Sequence, residues 1–217
     1  MRTTILILSF IFIGGTLNAQ ITKGSKLIGG NLTLGSSKGE SGTQPNNTKS
    51  SSFYFHPSFG VAVKENLIVG IKGGYGHTLN KNQSGQSEGK QKSNSYSAGM
   101  FVRKYKQLGK SDFYLFGDAG LNYQHINNIQ EIDRVETSNT KDHRLGIAIT
   151  PGLSYAVNKR LHLELSVGDL FSAGFSKYKE TNPTANRYKT NSTFVSTNIS
   201  NITNSLSFGL RFLLAKS

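Results

Sequence analysis

The stretch FYFHPSFGVAVKENLIVGIKGGY, residues 53–75, decides the fold class of this chain. Large apolar residues stand at nearly every second position on both sides of the short polar link KEN at 64–66. Alternation with a period of two predicts a β-strand with one apolar and one polar face, and so short a link predicts a tight hairpin. The stretch therefore predicts two adjacent antiparallel strands.

The same alternation recurs to the C-terminus and predicts eight strands of about ten residues each. Short links at 64–66, 106–111 and 158–160 alternate with four long polar links. This arrangement is typical of a barrel that spans the bacterial outer membrane. We predict an all-β fold, an eight-stranded antiparallel up-and-down transmembrane β-barrel with short periplasmic turns and long extracellular loops. The long links are residues 36–51, 77–94, 124–144 and 176–204.

The alternative is a soluble barrel or sandwich whose apolar faces meet in a core. Its water-facing sides would carry dense Lys and Glu along the strands. The polar faces here consist instead of Gly, Ser, Ala, Thr and isolated charges, and most charges lie in the links. Small side chains suit the narrow interior of an eight-stranded barrel, which favours the membrane protein.

The composition excludes several other classes. The 217 residues contain no Cys, which removes disulfide scaffolds, Cys-ligated zinc sites, thiol nucleophiles and lipoproteins. An apolar content of only 35% argues against a helical membrane protein, and 9 Tyr with 13 Phe argue against disorder. The net charge is +13, but the basic residues are dispersed over both ends of the barrel, so nucleic-acid binding is not predicted.

The N-terminus predicts a cleaved secretory signal peptide. Arg2 precedes a short apolar run, and the small residue Ala19 stands before Gln20 at the expected cleavage point. The predicted organisation is a signal peptide at 1–19 and an outer-membrane β-barrel domain at 20–217, exported to the outer membrane of a Gram-negative bacterium.

Four segments of the chain together resemble a known family. They are HPSFG with the hairpin that follows it, YSAGMFVRKY with FYLFGDAG, PGLSY with residues 161–168, and the closing strand at 206–212. In this order they resemble the small outer-membrane β-barrel domain (porin-family) proteins common in Bacteroidota, and the chain is similar to the OmpA-like transmembrane barrel. The resemblance implies an outer-membrane barrel and is silent about a ligand. Barrels of this type usually end on an aromatic residue that the insertion machinery reads, whereas five residues follow Phe212 here.

Two groups of residues suggest chemistry, and neither completes a site. His56 and Ser58 share one strand face, but no carboxylate obviously completes a hydrolytic set, since Glu65 lies at the opposite end of the strand. The His residues have no spacing typical of metal ligands. We predict no catalytic residue, no cofactor and no metal site. The five His residues are His56, His77, His125, His143 and His162.

Charged residues on inward-facing strand positions predict an ion-pair network across the lumen. Lipid-facing apolar neighbours bar these charges from reaching water sideways, and an unpaired charge there would cost several kcal/mol. The alternative is a lumen filled with water that screens each charge separately. Glu164 and Arg211 lie on neighbouring strands, as do Arg103 and Asp118. The predicted network consists of Lys72, Arg103, Asp118, Glu164 and Arg211.

These observations predict a non-enzymatic integral outer-membrane protein with a filled lumen and a structural or surface-interaction role. The alternatives are a narrow-pore channel and an outer-membrane lipid-modifying enzyme. Three of the four long links carry net positive charge, which leaves two interpretations open: contact with lipopolysaccharide phosphates, or a merely soluble exterior. The expected partners are outer-membrane lipid and lipopolysaccharide, the outer-membrane insertion machinery and an unidentified extracellular partner of the loops. The chain is expected to be a monomer.

Overall fold

The computed structural model of the chain describes residues 21–41, 46–85, 87–182, 185–197 and 206–214. The predicted signal peptide with its Ala19–Gln20 junction lies outside the described residues, as does the tail after Leu214. No helix of the described part is long and apolar enough to cross a membrane. The strands are β1 (Lys26–Ser41), β2 (Asn46–Lys64), β3 (Leu67–Ser84), β4 (Ser87–Gln107), β5 (Phe113–Ile132), β6 (Val135–Ala156), β7 (Leu161–Val167), β8 (Phe171–Asn182), β9 (Ala185–Thr197) and β10 (Leu206–Leu214).

The strands close into a ring of eight. Strands β1 to β6 pair consecutively and antiparallel, β7 joins the last part of β6 to β10, and β10 pairs with β1. Strand β8 pairs with the first part of β6, and β9 pairs with β8. The seventh strand of the ring is thus β7 continued by β8, and the eighth is β9 together with β10. The predicted eight-stranded antiparallel up-and-down barrel is confirmed.

Alternation sorts the side chains between lipid and lumen. Large apolar residues on the outward positions are strongly exposed, for example Ile71 at 64% and Phe208 at 70%. Their neighbours in the chain point inward and are small, polar or packed in the lumen. An exterior this apolar is favourable only against hydrocarbon. In the described part of the chain, β1 and β10 close the ring from the Lys26–Leu214 pair to the Leu32–Phe208 pair.

The four long polar links differ from the expected loops. Strand β3 runs to Ser84 and β4 begins at Ser87, so most of the link at 77–94 is a hydrogen-bonded hairpin. The same holds at 124–144, where β5 ends at Ile132 and β6 begins at Val135. Loops are predicted here because these links are long and rich in polar residues. The extended strands stay paired with their neighbours on both sides, as Lys81 of β3 is with Lys49 of β2 and Lys90 of β4. Backbone pairing rather than an apolar face therefore continues the strands through polar sequence.

Candidate functional site

The inward side chains form three layers along the lumen: an apolar floor, a layer of charges and a cavity lined largely by polar side chains on the side of the long hairpins. The floor lies beside the short turns. Tyr105 packs edge-on against Tyr114 with ring centroids 6.3 Å apart, and against Phe116 at 5.8 Å. Leu27 and Ile68 are fully buried in the same cluster. The floor therefore closes the periplasmic end with aromatic and aliphatic side chains.

The floor is not among the sequence predictions, which rest on the small residues of the polar faces. Strict alternation does place Phe101, Tyr105 and Phe116 on the inward parity of β4 and β5, so the signal was present in the sequence. The floor also orders the turns: the backbone N–H of Asn66 donates to the carbonyl of Ile21 at 3.0 Å. The segment that leads into β1 is thereby tied across the barrel mouth.

The charged layer centres on Arg103. Its Nε donates to Asp118 Oδ1 at 2.6 Å and its Nη2 to Asp118 Oδ2 at 2.7 Å, a bidentate pair. Its Nη1 donates to both carboxylate oxygens of Glu164 at 2.8 Å. The guanidinium carbon also lies 4.3 Å from the centroid of the Phe116 ring, so the floor contributes a cation–π contact from below.

Glu164 has partners on two other strands, β4 and β10. The Tyr105 hydroxyl donates to its Oε1 at 2.7 Å, and Arg211 Nε lies 3.3 Å from its Oε2, an ion-pair distance without a well-aligned hydrogen bond. Arg211 also donates through Nη2 to Asn31 Oδ1. Glu164, Arg103 and Arg211 are each 3% exposed, so water contributes little to their solvation. Two guanidinium groups thus balance the carboxylates of Glu164 and Asp118 in a nearly dry layer.

The structure brings four of the five predicted network residues together and leaves Lys72 apart. Lys72 lies higher, where it lines the cavity with His56, and no ion pair of Lys72 is found in the described part of the chain. His162 packs with the floor: it is fully buried, its ring centroid lies 5.7 Å from that of Tyr114, and its Nδ1 lies 3.1 Å from Ser154 Oγ. Alternation places His162 on the inward face two residues before Glu164, so the sequence pattern also predicts that His162 points into the lumen.

Above the charges lies a cavity of about 370 Å³. Asp169 lines it and accepts a hydrogen bond from Thr150 Oγ1 at 2.8 Å. Uninterrupted alternation would put Asp169 on the outward side at the membrane interface; the strand is instead broken between Val167 and Phe171, and the break turns the carboxylate inward. The wall of this cavity comprises Asn31, Thr33, Tyr54, His56, Ser58, Lys72, Gly73, Ser97, Ala98, Phe101, Arg103, Phe116, Asp118, Asn122, Gln124, Thr150, Ser166, Gly168, Asp169, Ser207 and Arg211.

The cavity does not assemble a nucleophile with its base. Ser58 Oγ has no hydrogen-bond partner among the residues that the structure describes, so His56 is not in position to take its proton. Of the outer His residues, His125 and His143 stack with centroids 4.4 Å apart, whereas His77 Nδ1 is bonded to Asn94 Oδ1 at 2.8 Å. Within the described ranges, no group of three or more His, Cys, Asp or Glu side chains is placed to hold a metal ion.

Comparisons with known proteins agree with this architecture. Residues 25–211 match the family described as autotransporter β-domain. The outer membrane protein OprG from Pseudomonas aeruginosa is similar in structure, with a TM-score of 0.56 and 13% identity over 91% of this chain and 99% of that one. Neisserial surface protein A aligns at a TM-score of 0.33 (16% identity, 87% of this chain, 94% of that one). A major outer membrane protein from Thermus thermophilus aligns at 0.44 (10% identity, 88% and 99%). No curated protein matches the sequence.

Proposed function

Because the chain belongs to the autotransporter β-domain family and is a β-barrel protein of the bacterial outer membrane, we propose that it has a structural or surface-interaction role there, without enzymatic chemistry and with a closed lumen. The observation that carries the proposal is the stack of floor and charged layer. Solutes that enter the cavity meet the guanidinium of Arg103, held from both sides by carboxylates, and beneath it the ring of Phe116.

Conductance measurements test the closed lumen. In planar bilayers we expect no stepwise ionic current from the barrel, because an eight-stranded interior is filled by side chains. Regular current steps that scale with salt concentration would overturn the proposal in favour of a narrow channel.

The narrow channel is the second candidate function, and the cavity of about 370 Å³ favours it, since part of the path is already open. A matched pair of variants separates the two. Arg211→Ala removes a side chain from the charged layer, whereas Lys159→Ala removes one from an exposed turn. Arg211→Ala leaves the floor in place, so if the charged layer alone is the seal, the first variant conducts and the second does not. If neither variant conducts, the floor suffices to close the lumen. If both variants and the parent conduct alike, the layer is no seal.

The proposal extends to assembly and origin. A cleaved signal at 1–19, insertion by the outer-membrane machinery and a monomeric barrel are consistent with one another, because the ring of eight strands closes within a single chain. The four segments that resemble the Bacteroidota barrels support a membership among small porin-family proteins of OmpA-like type. N-terminal sequencing of the exported protein tests the signal: we expect it to begin at Gln20, and an intact Met1 would contradict cleavage.

A further inference from the structure

Seven lysines on the outer half of the barrel stand directly opposite one another across neighbouring strands. The strand register pairs Lys38 with Lys49, Lys49 with Lys81, and Lys81 with Lys90, which links β1 to β4. On the other side of the barrel, the register continues the same pattern through β6, β8 and β9. There it pairs Lys141 with Lys179, and Lys179 with Lys189. We name these seven residues the lysine ladders.

The ladders face outward, above the apolar band. Lys49 has the parity of the exposed Phe53, and Lys141 has the parity of the exposed Leu145, each four residues further from the membrane. Four strand residues span about 13 Å. At the usual strand tilt, the lysines therefore stand about 10 Å above the last row of apolar residues. This is the level of the lipid headgroups and of the sugars attached to them.

The chain offsets only a small part of this charge, since Glu131 is close enough to Lys90 to interact with it. Within the ranges that the structure describes, none of the seven lysines forms an ion pair. Glu131 is opposite Lys90 in the register, but its Oε1 lies 2.7 Å from the Nζ of Lys92 instead. Like charges directly opposite each other destabilise a strand pair, and the ladders repeat this arrangement five times. A countercharge from outside the chain would relieve the repulsion.

A groove of about 530 Å³ lies on the outer wall next to the ladder formed by Lys141, Lys179 and Lys189. Its lower part is formed by Leu145 and by Phe175, which is 67% exposed. Its upper part carries His143 and Lys177, which are opposite each other in the register. Tyr123 Oη lies 2.7 Å from His143 Nδ1 and fixes that ring. The groove therefore offers an apolar slot that ends in positive or hydrogen-bonding groups.

We propose that the lysine ladders and the adjoining groove bind a phosphorylated glycolipid of the outer leaflet, with phosphates on the lysines and an acyl chain along Phe175 and Leu145. Ammonium groups bind phosphate oxygens through charge-assisted hydrogen bonds. A soluble polyanion would satisfy the lysines but would leave the apolar slot empty. The proposal depends on the outer-membrane placement of the barrel and not on whether its lumen is closed.

The test compares two sets of substitutions with equal loss of charge on the folded, detergent-solubilised barrel. The first set is Lys49→Gln, Lys81→Gln, Lys141→Gln and Lys179→Gln. The control set, on the side of the short turns, is Lys64→Gln, Lys104→Gln, Lys106→Gln and Lys110→Gln. The probes are diphosphoryl lipid A, the same lipid without phosphates, and inorganic polyphosphate. Far-UV circular dichroism verifies the fold of every protein before titration.

We expect the first set to weaken binding of diphosphoryl lipid A by at least about tenfold, since each lysine near an anionic lipid surface contributes about fivefold. The control set should change it by less than about twofold. Phe175→Ala should weaken the binding of diphosphoryl lipid A and leave the binding of polyphosphate unchanged. Three results would overturn the proposal: equal effects of both lysine sets, tight binding of the phosphate-free lipid, or polyphosphate binding as strong as lipid A, which would indicate a soluble polyanion instead.

Discussion

Replacing Glu164 by Gln tests the charged layer most directly. The change keeps the size of the side chain and removes its charge, which leaves Arg103 with Asp118 alone and Arg211 without a carboxylate. The layer then carries one uncompensated positive charge in a place that is almost sealed from water. Breaking a buried ion pair by removing one partner costs roughly 3–5 kcal/mol.

The contacts of Glu164 give the same magnitude independently. Its carboxylate accepts from Arg103 through both oxygens, accepts from the Tyr105 hydroxyl and faces Arg211 at 3.3 Å. Glutamine retains one acceptor oxygen, so about two charged contacts are lost, each worth about 1.5–3 kcal/mol. With a urea dependence of about 2 kcal/mol per molar, the unfolding midpoint should fall by roughly 2 M.

The assay is reversible urea unfolding of the barrel in lipid vesicles, followed by circular dichroism because the chain has no Trp. Glu136→Gln is the control, since Glu136 is exposed at the tip of a hairpin and its change should stay within about 0.5 kcal/mol. The double variant Glu164→Gln with Arg211→Gln should recover part of the loss. An unchanged midpoint for Glu164→Gln would refute the ion-pair layer, and no recovery in the double variant would assign the partner of Glu164 elsewhere.

Three further predictions concern the exterior. Cysteine at Gln83 should react with a membrane-impermeant thiol reagent on intact cells and cysteine at Lys159 should not; the reverse pattern would invert the topology. Ile71→Arg should lower the free energy of unfolding by about 2–4 kcal/mol, whereas Val135→Arg, at nearly the same exposure but on a hairpin beyond the membrane, should change it little; equal effects would contradict the assigned membrane band. The hydrogen bond from Lys92 holds the pKa of Glu131 below the usual range, and carboxyl NMR should show this lowered pKa. The stability that the pair adds to the hairpin should be present above the lowered pKa and should be lost as the pH falls through it. An ordinary pKa for Glu131 would exclude the pair in solution.

The sequence determines which way each side chain points far better than which side chains meet. Alternation alone places Arg103, Asp118, Glu164 and Arg211 in the lumen, and strand order makes two neighbouring pairs. The contact from Arg103 across the barrel to Glu164 depends on the angle around the ring and on height, and both are set by strand stagger, which a linear pattern does not contain.

Two local features explain the remaining differences. Polar strands that stand in water have no apolar periodicity, so the sequence of the hairpin extensions predicts loops. The strand is interrupted between Val167 and Phe171, so the alternation of inward and outward residues does not hold there. Asp169 therefore lines the cavity instead of facing outward. Both are places where backbone hydrogen bonding, rather than side-chain pattern, decides the structure.

The hairpin extensions also set how far this protein reaches from the cell. From the Tyr75–Tyr96 pair to the Ser84–Ser87 pair, β3 and β4 each continue for nine residues, about 30 Å along the strand direction. These two strand segments are the arms of the hairpin. A bacteriophage or antibody that approaches the cell would meet the tips before it met the lipid. Because inward and outward residues alternate, a one-residue deletion within an arm turns every side chain beyond it to the other face, whereas a two-residue deletion keeps the faces. Variation among related chains should therefore come in such steps, and a single-residue deletion in one arm should be rare.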